Sequence, residues 1–465
     1  MKVAFITSEV TPFAKTGGMA DVCAALPVAL EKIGVDVCVA LPQYASVASV
    51  VPEVEKINDV VSRARLGEDI PVFLIRHDHY FDRAGLYGDR EGDYSDNLLR
   101  FHYFCDQALA ALKTMEWDAD ILHCHDWQTS LIPASLRYRY RTDAFWKKTK
   151  TVLTIHNLAY QGKGQRSEFD GLGFDTELFN ENLFEFYDQI NLLKAGILTT
   201  DRITTVSPQY AQEIQTSEFG CGLEGVLGKR RNDIVGILNG IDQQVWNPQT
   251  DPVIHKNYTA REIRNKALNK EYLQQKTQLA HDPEIPLYGF IGRLSHQKGI
   301  DLLAEILPLI GRENIQVVIL GDGERKYEQM LREASAHFPD RIAFFMDFNE
   351  ELAHQIYAGC DILLMPSRYE PCGLNQMIAL RYGVIPLVYR TGGLADTIIP
   401  HSQNGNGFVF DSYTPTDFRE SIINATRVYH NKELFEPLML KAMSCDFSWD
   451  VSARAYRDLY QQLLS

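Results

Sequence analysis

Two cations, Arg293 and Lys298, share the short segment GRLSHQKG (292–299). A diphosphate needs positive charge at close range, and charge-assisted hydrogen bonds contribute roughly 1.5–3 kcal/mol each. Two cations on a glycine-flanked loop therefore suit a phosphate clamp, although surface loops also carry such pairs. KTGGMAD (15–21) joins Lys15 to Gly17 and Gly18. Adjacent glycines let a backbone approach a ligand, and a helix starting there turns N–H groups and its positive end toward an anion. A tight strand-to-helix turn is the competing explanation. RTGGLAD (390–396) repeats the pattern with Thr391. In RYEPCGLNQM (368–377), Pro371 and Gly373 fix a turn, and a helix is expected to begin near Gly373 and Leu374. Glu370 just ahead of it suits sugar hydroxyls better than phosphate, and Cys372 lies between.

HCHDW (123–127) and IHN (155–157) add His123, His125, Asp126, His156 and Asn157. His123 and His125 alternate along a strand and so could share one face, as metal ligands do. No third ligand stands at a suitable spacing, so no metal is expected. Asn239, in an Asn-Gly dipeptide, reads first as a turn residue. GDGER (321–325) lacks the third glycine of a dinucleotide fingerprint, and the second apolar run ends in ALPQY without an acidic residue for a ribose. A dinucleotide-dependent oxidoreductase is disfavoured on both counts.

Each of these segments follows a short apolar run. Strands are expected at 3–7, 35–42, 119–125, 151–156, 202–207 and 233–239, then at 286–292, 315–323, 341–346, 361–367 and 384–389. Helical stretches lie between them, such as 20–34 and 301–311. Continuous apolar strands alternating with helices indicate parallel sheets covered on both faces. Two such series predict an α/β chain of two Rossmann-like, doubly wound domains, whose ligands bind beyond the carboxyl ends of the strands. The expected boundaries are 1–242, 243–448 and a final helix at 449–465. Val451, Ala455, Leu459 and Leu463 recur every four residues, giving that helix an apolar stripe in need of a partner.

The 465 residues carry a formal net charge of −15, which argues against nucleic acid and anionic membranes as partners. An anionic substrate would need a local cluster of cations. Eight cysteines without a CxxC pair read as free thiols in a reducing compartment. MKVAFITSEV opens as a strand without the marks of a signal peptide, and no apolar run is long enough to span a bilayer. A soluble intracellular protein is expected.

Taken together and in order, KTGGMADV, HCHDW, IHNLAYQG, NGID, GRLSHQKG, SRYEPCGLNQM and RTGGLADT closely resemble the ADP-glucose-dependent glycogen and starch synthases of bacteria and plastids. The likeness runs from the first strand to the last helix. It implies the GT-B fold, two Rossmann-like domains facing a central cleft, with the last helix returning to the N-terminal domain. It implies transfer of glucose from ADP-glucose to the non-reducing end of an α-1,4-glucan or malto-oligosaccharide, with retention of configuration. It implies no metal, no cofactor beyond the donor substrate, and a cytoplasmic or plastid-stromal setting.

Carried over by position, Lys15 and Gly18 would contact the diphosphate region of the donor. Arg293 and Lys298 would clamp the distal phosphates, and the backbone of Gly373 and Leu374 would add N–H groups. Glu370 and Cys372 would border the glucose. His156 would lie by the anomeric carbon, while Asp126, Asn157, Asn239 and Tyr94 would position sugar or acceptor. The loop from Thr391 to Leu394 would approach the phosphates or the acceptor end. Many retaining enzymes of this fold carry a second Glu eight residues after the first, where this chain has Ile378. The ADP-glucose synthases generally lack it too, which leaves ribose recognition unassigned. Two alternatives remain: another nucleotide-sugar donor, or a non-catalytic glucan-binding scaffold.

Overall fold

The computed structural model describes residues 1–51, 54–89, 92–310, 312–346 and 349–465. The chain divides into two compact units: Met1–Gly240 with Trp449–Ser465, and Ile241–Ser448.

The first unit is built on nine strands: β1 (Lys2–Ile6), β2 (Asp36–Pro42), β3 (Glu55–Lys56), β4 (Val61–Leu66), β5 (Ile70–Ile75), β6 (Ile121–His125), β7 (Lys150–Ile155), β8 (Arg202–Thr205) and β9 (Ile234–Gly236). Their order is β9-β8-β7-β6-β1-β2-β5-β4-β3. The strands from β9 to β5 pair in parallel, and β5, β4 and β3 continue antiparallel. β1 shows why its sequence lacks alternation: Val3, Ala4, Phe5 and Ile6 are all fully buried, because both faces of the sheet are covered. The β4–β5 hairpin was not expected. VSRARL places Arg63 and Arg65 toward solvent, and such half-charged alternation reads differently from a buried apolar run.

Helix α1 (Gly18–Lys32) follows β1, and α2 (Asn97–Thr114) precedes β6. The second unit has six strands, β10 (Leu287–Ile291), β11 (Gln316–Leu320), β12 (Ile342–Phe345), β13 (Ile362–Met365), β14 (Ile385–Tyr389) and β15 (Phe408–Phe410). They form one all-parallel sheet in the order β12-β11-β10-β13-β14-β15. β15, only three residues long, was not expected from the sequence. Three helices matter below: α3 (Ile300–Ile310), α4 (Asn375–Arg381) and α5 (Gly392–Thr397). Gly311, at the end of the expected 301–311 helix, lies outside the described residues.

The final helix, α6 (Trp449–Leu464), packs on α1. Its buried face corrects the expected stripe. Val451 is 45% exposed and Ala455 is exposed, whereas Trp449, Ser452, Ala453, Tyr456, Leu459 and Tyr460 are buried. The aromatic rings outweigh Val and Ala in buried area, and they set which side faces inward. The Tyr460 hydroxyl also lies 2.7 Å from Nδ1 of His123, which removes the penalty of burying it. All eight cysteines are free thiols, six of them buried. Among the described residues no helix is long and apolar enough to cross a membrane.

Candidate active site

In the second unit, the loop after β10 carries Arg293 and Lys298, and the loop after β13 carries Glu370 and Cys372. The two loops are tied together by backbone: the amide of Arg368 donates to the carbonyl of Gln297 at 2.9 Å. The Asn375 side chain, at the start of α4, donates to the carbonyl of Ile291 at the end of β10, at 2.7 Å. Lys298 Nζ then lies 2.6 Å from Glu370 Oε2, and Ser367 Oγ donates to the same oxygen at 3.0 Å. The Glu370 side chain is only 8% exposed and that of Lys298 22%, so water screens the pair weakly. Arg293 is exposed, and its guanidinium makes no hydrogen bond or ion pair among the described residues. This loop system holds one cation against a buried carboxylate and leaves another uncommitted.

Thr391 joins the same loop system. The amide of Gly393 donates to the carbonyl of Glu370 at 3.0 Å. A Cβ on Gly392 would collide with that carbonyl, and one on Gly393 with the carbonyl of Cys372. The glycine pair of RTGG therefore lets α5 seat against the Glu370–Cys372 backbone. Gly17 and Gly18 differ: a Cβ on either meets nothing within 4 Å. The two similar segments use their glycines differently, one for packing and the other facing open space.

KTGG in the first unit is organised by a residue the sequence reading missed, Glu9. Its carboxylate accepts from the amides of Thr16 at 2.5 Å and Gly17 at 3.2 Å, from Thr16 Oγ1 at 2.7 Å and from the Tyr87 hydroxyl at 2.6 Å. A protein carboxylate thus already occupies part of the anion-binding backbone expected at this loop. Lys15 pairs with Asp21 at 2.8 Å, and both are substantially exposed. Neither Glu9 nor Tyr87 lies in a motif. The one available signal was Glu9 as a carboxylate at the end of an apolar run.

Asp126, His156 and Asn157 come together at the carboxyl ends of β6 and β7. Asp126 has φ 54°, and its Oδ1 accepts from the amide of His156 at 2.7 Å, with the Asn157 amide also bonding to it. The carboxylate thus pins the backbone that presents His156. Burial pushes Asp126 up to about 7 and His156 down to about 3, so His156 is a neutral imidazole near neutral pH. Nε2 of His156 lies 3.0 Å from Nδ1 of His125. The expected sharing of one face by His123 and His125 does not make them joint ligands. Both nitrogens of His123 are occupied, Nε2 by Thr154 Oγ1 at 2.6 Å and Nδ1 by Tyr460.

Tyr94 packs against the guanidinium groups of Arg83 and Arg100 at 4.8 and 4.9 Å. Asn239 is buried with Oδ1 unpartnered among the described residues. No hydrogen bond among the described residues joins either to the Asp126–His156 group. Gly18 is the first residue of α1, and Gly373, at φ 73°, leads through Leu374 into α4.

The raised Asp126 carboxyl makes a pH prediction. Its folded pKa of about 7 exceeds the unfolded value of about 3.9, so the folded state holds the proton more tightly. The associated stability is fully present below about pH 4 and is lost as pH rises through about 7. Against Asp126→Asn, which does not titrate, the wild-type Tm should fall relative to the variant between pH 4 and 7. A Tm difference that stays constant over this range would contradict the assignment.

Residues 2–229 match the starch synthase catalytic domain family, and 271–433 match the glycosyl transferases group 1 family. The chain is 46% identical to a glycogen synthase of Geotalea uraniireducens, covering 100% of this chain and 99% of that one. It is 47% identical to the glycogen synthase of Geotalea daltonii at the same coverage. Among solved structures, the catalytic domain of starch synthase IV from Arabidopsis thaliana, bound to ADP and acarbose, superposes with a TM-score of 0.90 at 33% identity. That alignment covers 100% of this chain and 99% of the other. Sucrose-phosphate synthase from Thermosynechococcus elongatus, at 17% identity and a TM-score of 0.64, shares the fold. With full-length relatives at this identity and two Rossmann-like units, the chain belongs to the glycogen and starch synthase family of GT-B glycosyltransferases.

Proposed function

We propose that this glucan synthase uses ADP-glucose as its donor, adds glucose to the non-reducing end of an α-1,4-glucan with retention of configuration, and releases ADP without a metal ion. The observation that carries the donor reading is the pairing of Lys298 with buried Glu370 on a loop that also presents the uncommitted Arg293. A sugar diphosphate needs cations at its phosphates and a carboxylate at its hydroxyls, and these residues supply both. The Arabidopsis neighbour is bound to ADP and acarbose, which supports the same choice here.

In this reading Arg293 and Lys298 oppose the charge that grows on ADP as the glucosyl bond to the β-phosphate lengthens. Groups fixed before the reaction stabilise that charge without reorganising at the transition state. Glu370 accepts from glucose hydroxyls and sets the orientation of Lys298. In the first unit, Lys15 and Gly18 serve the diphosphate region, while Asn239 and Tyr94 serve the sugar or acceptor. His156, neutral and held by Asp126, meets the anomeric carbon in this reading as an uncharged polar wall, and Asn157 belongs to the same backbone turn. Cys372 borders the glucose, Gly373 and Leu374 offer backbone amides, and Thr391 bounds the phosphates. Bond exchange occurs on one face: the glucosyl–oxygen bond to ADP breaks, the acceptor 4-hydroxyl oxygen bonds to C1, and its proton passes to the departing phosphate.

Two outcomes test the reading. In an ADP-release assay with glycogen, ADP-glucose should turn over, UDP-glucose should turn over far more slowly, and omitting glycogen should stop both. Rapid turnover of UDP-glucose alone would transfer the assignment to another donor, and glycogen binding without nucleotide release would favour the scaffold reading. Arg293→Ala should lower kcat by roughly 10²–10³-fold, by analogy with the loss of one oxyanion donor. Its Tm should not change, since the side chain has no partner to lose. A variant turning over like wild type would remove Arg293 from the phosphate site.

A further inference from the structure

We propose that Cys23, His125 and His156 form a binding site for a thiophilic divalent cation such as Zn²⁺, and that occupying it inhibits glucosyl transfer. Three elements bring the ligands together: α1 supplies Cys23, β6 ends in His125, and the turn after β7 presents His156. Cys23 Sγ and one ring nitrogen of each histidine all lie within 4.8 Å of one another. Imidazole nitrogen and thiolate sulfur are both zinc donors, and three protein ligands leave a fourth position open.

A further observation points to a ligand. Nδ1 of His125 and Nε2 of His156 stand 3.0 Å apart, close to the ~3.3 Å between nitrogens around a tetrahedral ion with bonds of about 2.0–2.1 Å. The surroundings also favour positive charge. Glu9 acts electrostatically on Cys23, raising its thiol pKa beyond the effect of burial. That negative charge opposes a bare thiolate and favours a bound dication. A neutral imidazole carries one lone pair, so each histidine can bind an ion through it once their mutual hydrogen bond is given up. Binding releases one proton, that of the Cys23 thiol, to solvent.

Cys23 and His125 are fully buried, while His156 is half-buried and forms the entrance. A cation on His156 would replace its hydrogen bond to His125 and put a dication beside the reacting sugar, where positive charge is also developing. This inhibitory consequence rests on the reading of His156 given above, whereas the binding itself does not. It is separate from catalysis, which is proposed to need no metal.

Binding and inhibition are tested separately. Full-length protein stripped of metal is titrated with Co²⁺ and followed by optical absorption. One equivalent should produce a thiolate-to-cobalt charge-transfer band, and Cys23→Ser and Cys23→Ala should both lose it. Zn²⁺ should then abolish ADP release, a chelator should restore it, and both Cys23 variants should keep wild-type turnover while needing at least ten-fold more Zn²⁺ for inhibition. Cys23→Ser retains an oxygen facing Thr7 Oγ1 in place of the sulfur, which lies 3.3 Å away, and so guards against a folding defect in Cys23→Ala. A cobalt band that survives in both variants, or no band in wild type, would overturn the site. A band without zinc inhibition would overturn only the role of His156 in transfer.

Discussion

A carboxylate that cannot reach water freely must be met by donors or a cation, and in the second unit that condition is satisfied by Lys298. Glu370 is buried against Ser367 and Lys298, and the arrangement locks together two loops from different strands. Removing one member of such a pair leaves an uncompensated charge and, in buried settings, costs roughly 3–5 kcal/mol. The pair is thus both a structural joint and a preset distance between a cation and a carboxylate. The tight backbone seat of Gly392 and Gly393 against Glu370 and Cys372 serves the same end, because it fixes the carboxylate loop from its other side.

The first unit uses buried carboxylates in a related way. Glu9 gathers the amides of Thr16 and Gly17, and Asp126 gathers the amide of His156. In each case an acid at the end of a strand shapes a loop from the next segment. These acids are positioning residues, and the residues they hold face open space or the half-buried surface. Hydrogen bonds within the protein thereby order the loops, and groups fixed in this way can stabilise charge in a transition state without reorganising.

Much of this was legible in the sequence. Fully buried parallel strands announce themselves as continuous apolar runs, so eleven of the fifteen main strands were expected within a few residues of where they lie. The β4–β5 hairpin escaped because Arg63 and Arg65 interrupt its apolar run, and β15 because three residues make no pattern. The motif loops were visible because glycines and paired cations stand out locally. Glu9, Tyr87 and Asn375 were not, since their partners are distant in sequence or belong to the backbone, which no residue type reveals. The face of α6 was misread because tyrosines were not counted as apolar, although Tyr456 and Tyr460 are among the most buried side chains of the chain. His123 was similarly ambiguous: only the folded chain brings Tyr460 to its ring, and so commits it to structure.

The central claim is that Lys298 is held by Glu370 for the benefit of a nucleotide diphosphate. Calorimetric titration of ADP addresses it with Glu370→Gln, and with the double variant Lys298→Ala/Glu370→Gln, which leaves no charge stranded. Glu370→Gln should bind ADP at least as tightly as wild type, because the lysine loses a competitor, and the double variant should bind at least ten-fold more weakly. Equal affinity in the two variants would mean that Lys298 serves the fold alone, and the account of the donor site would fail with it.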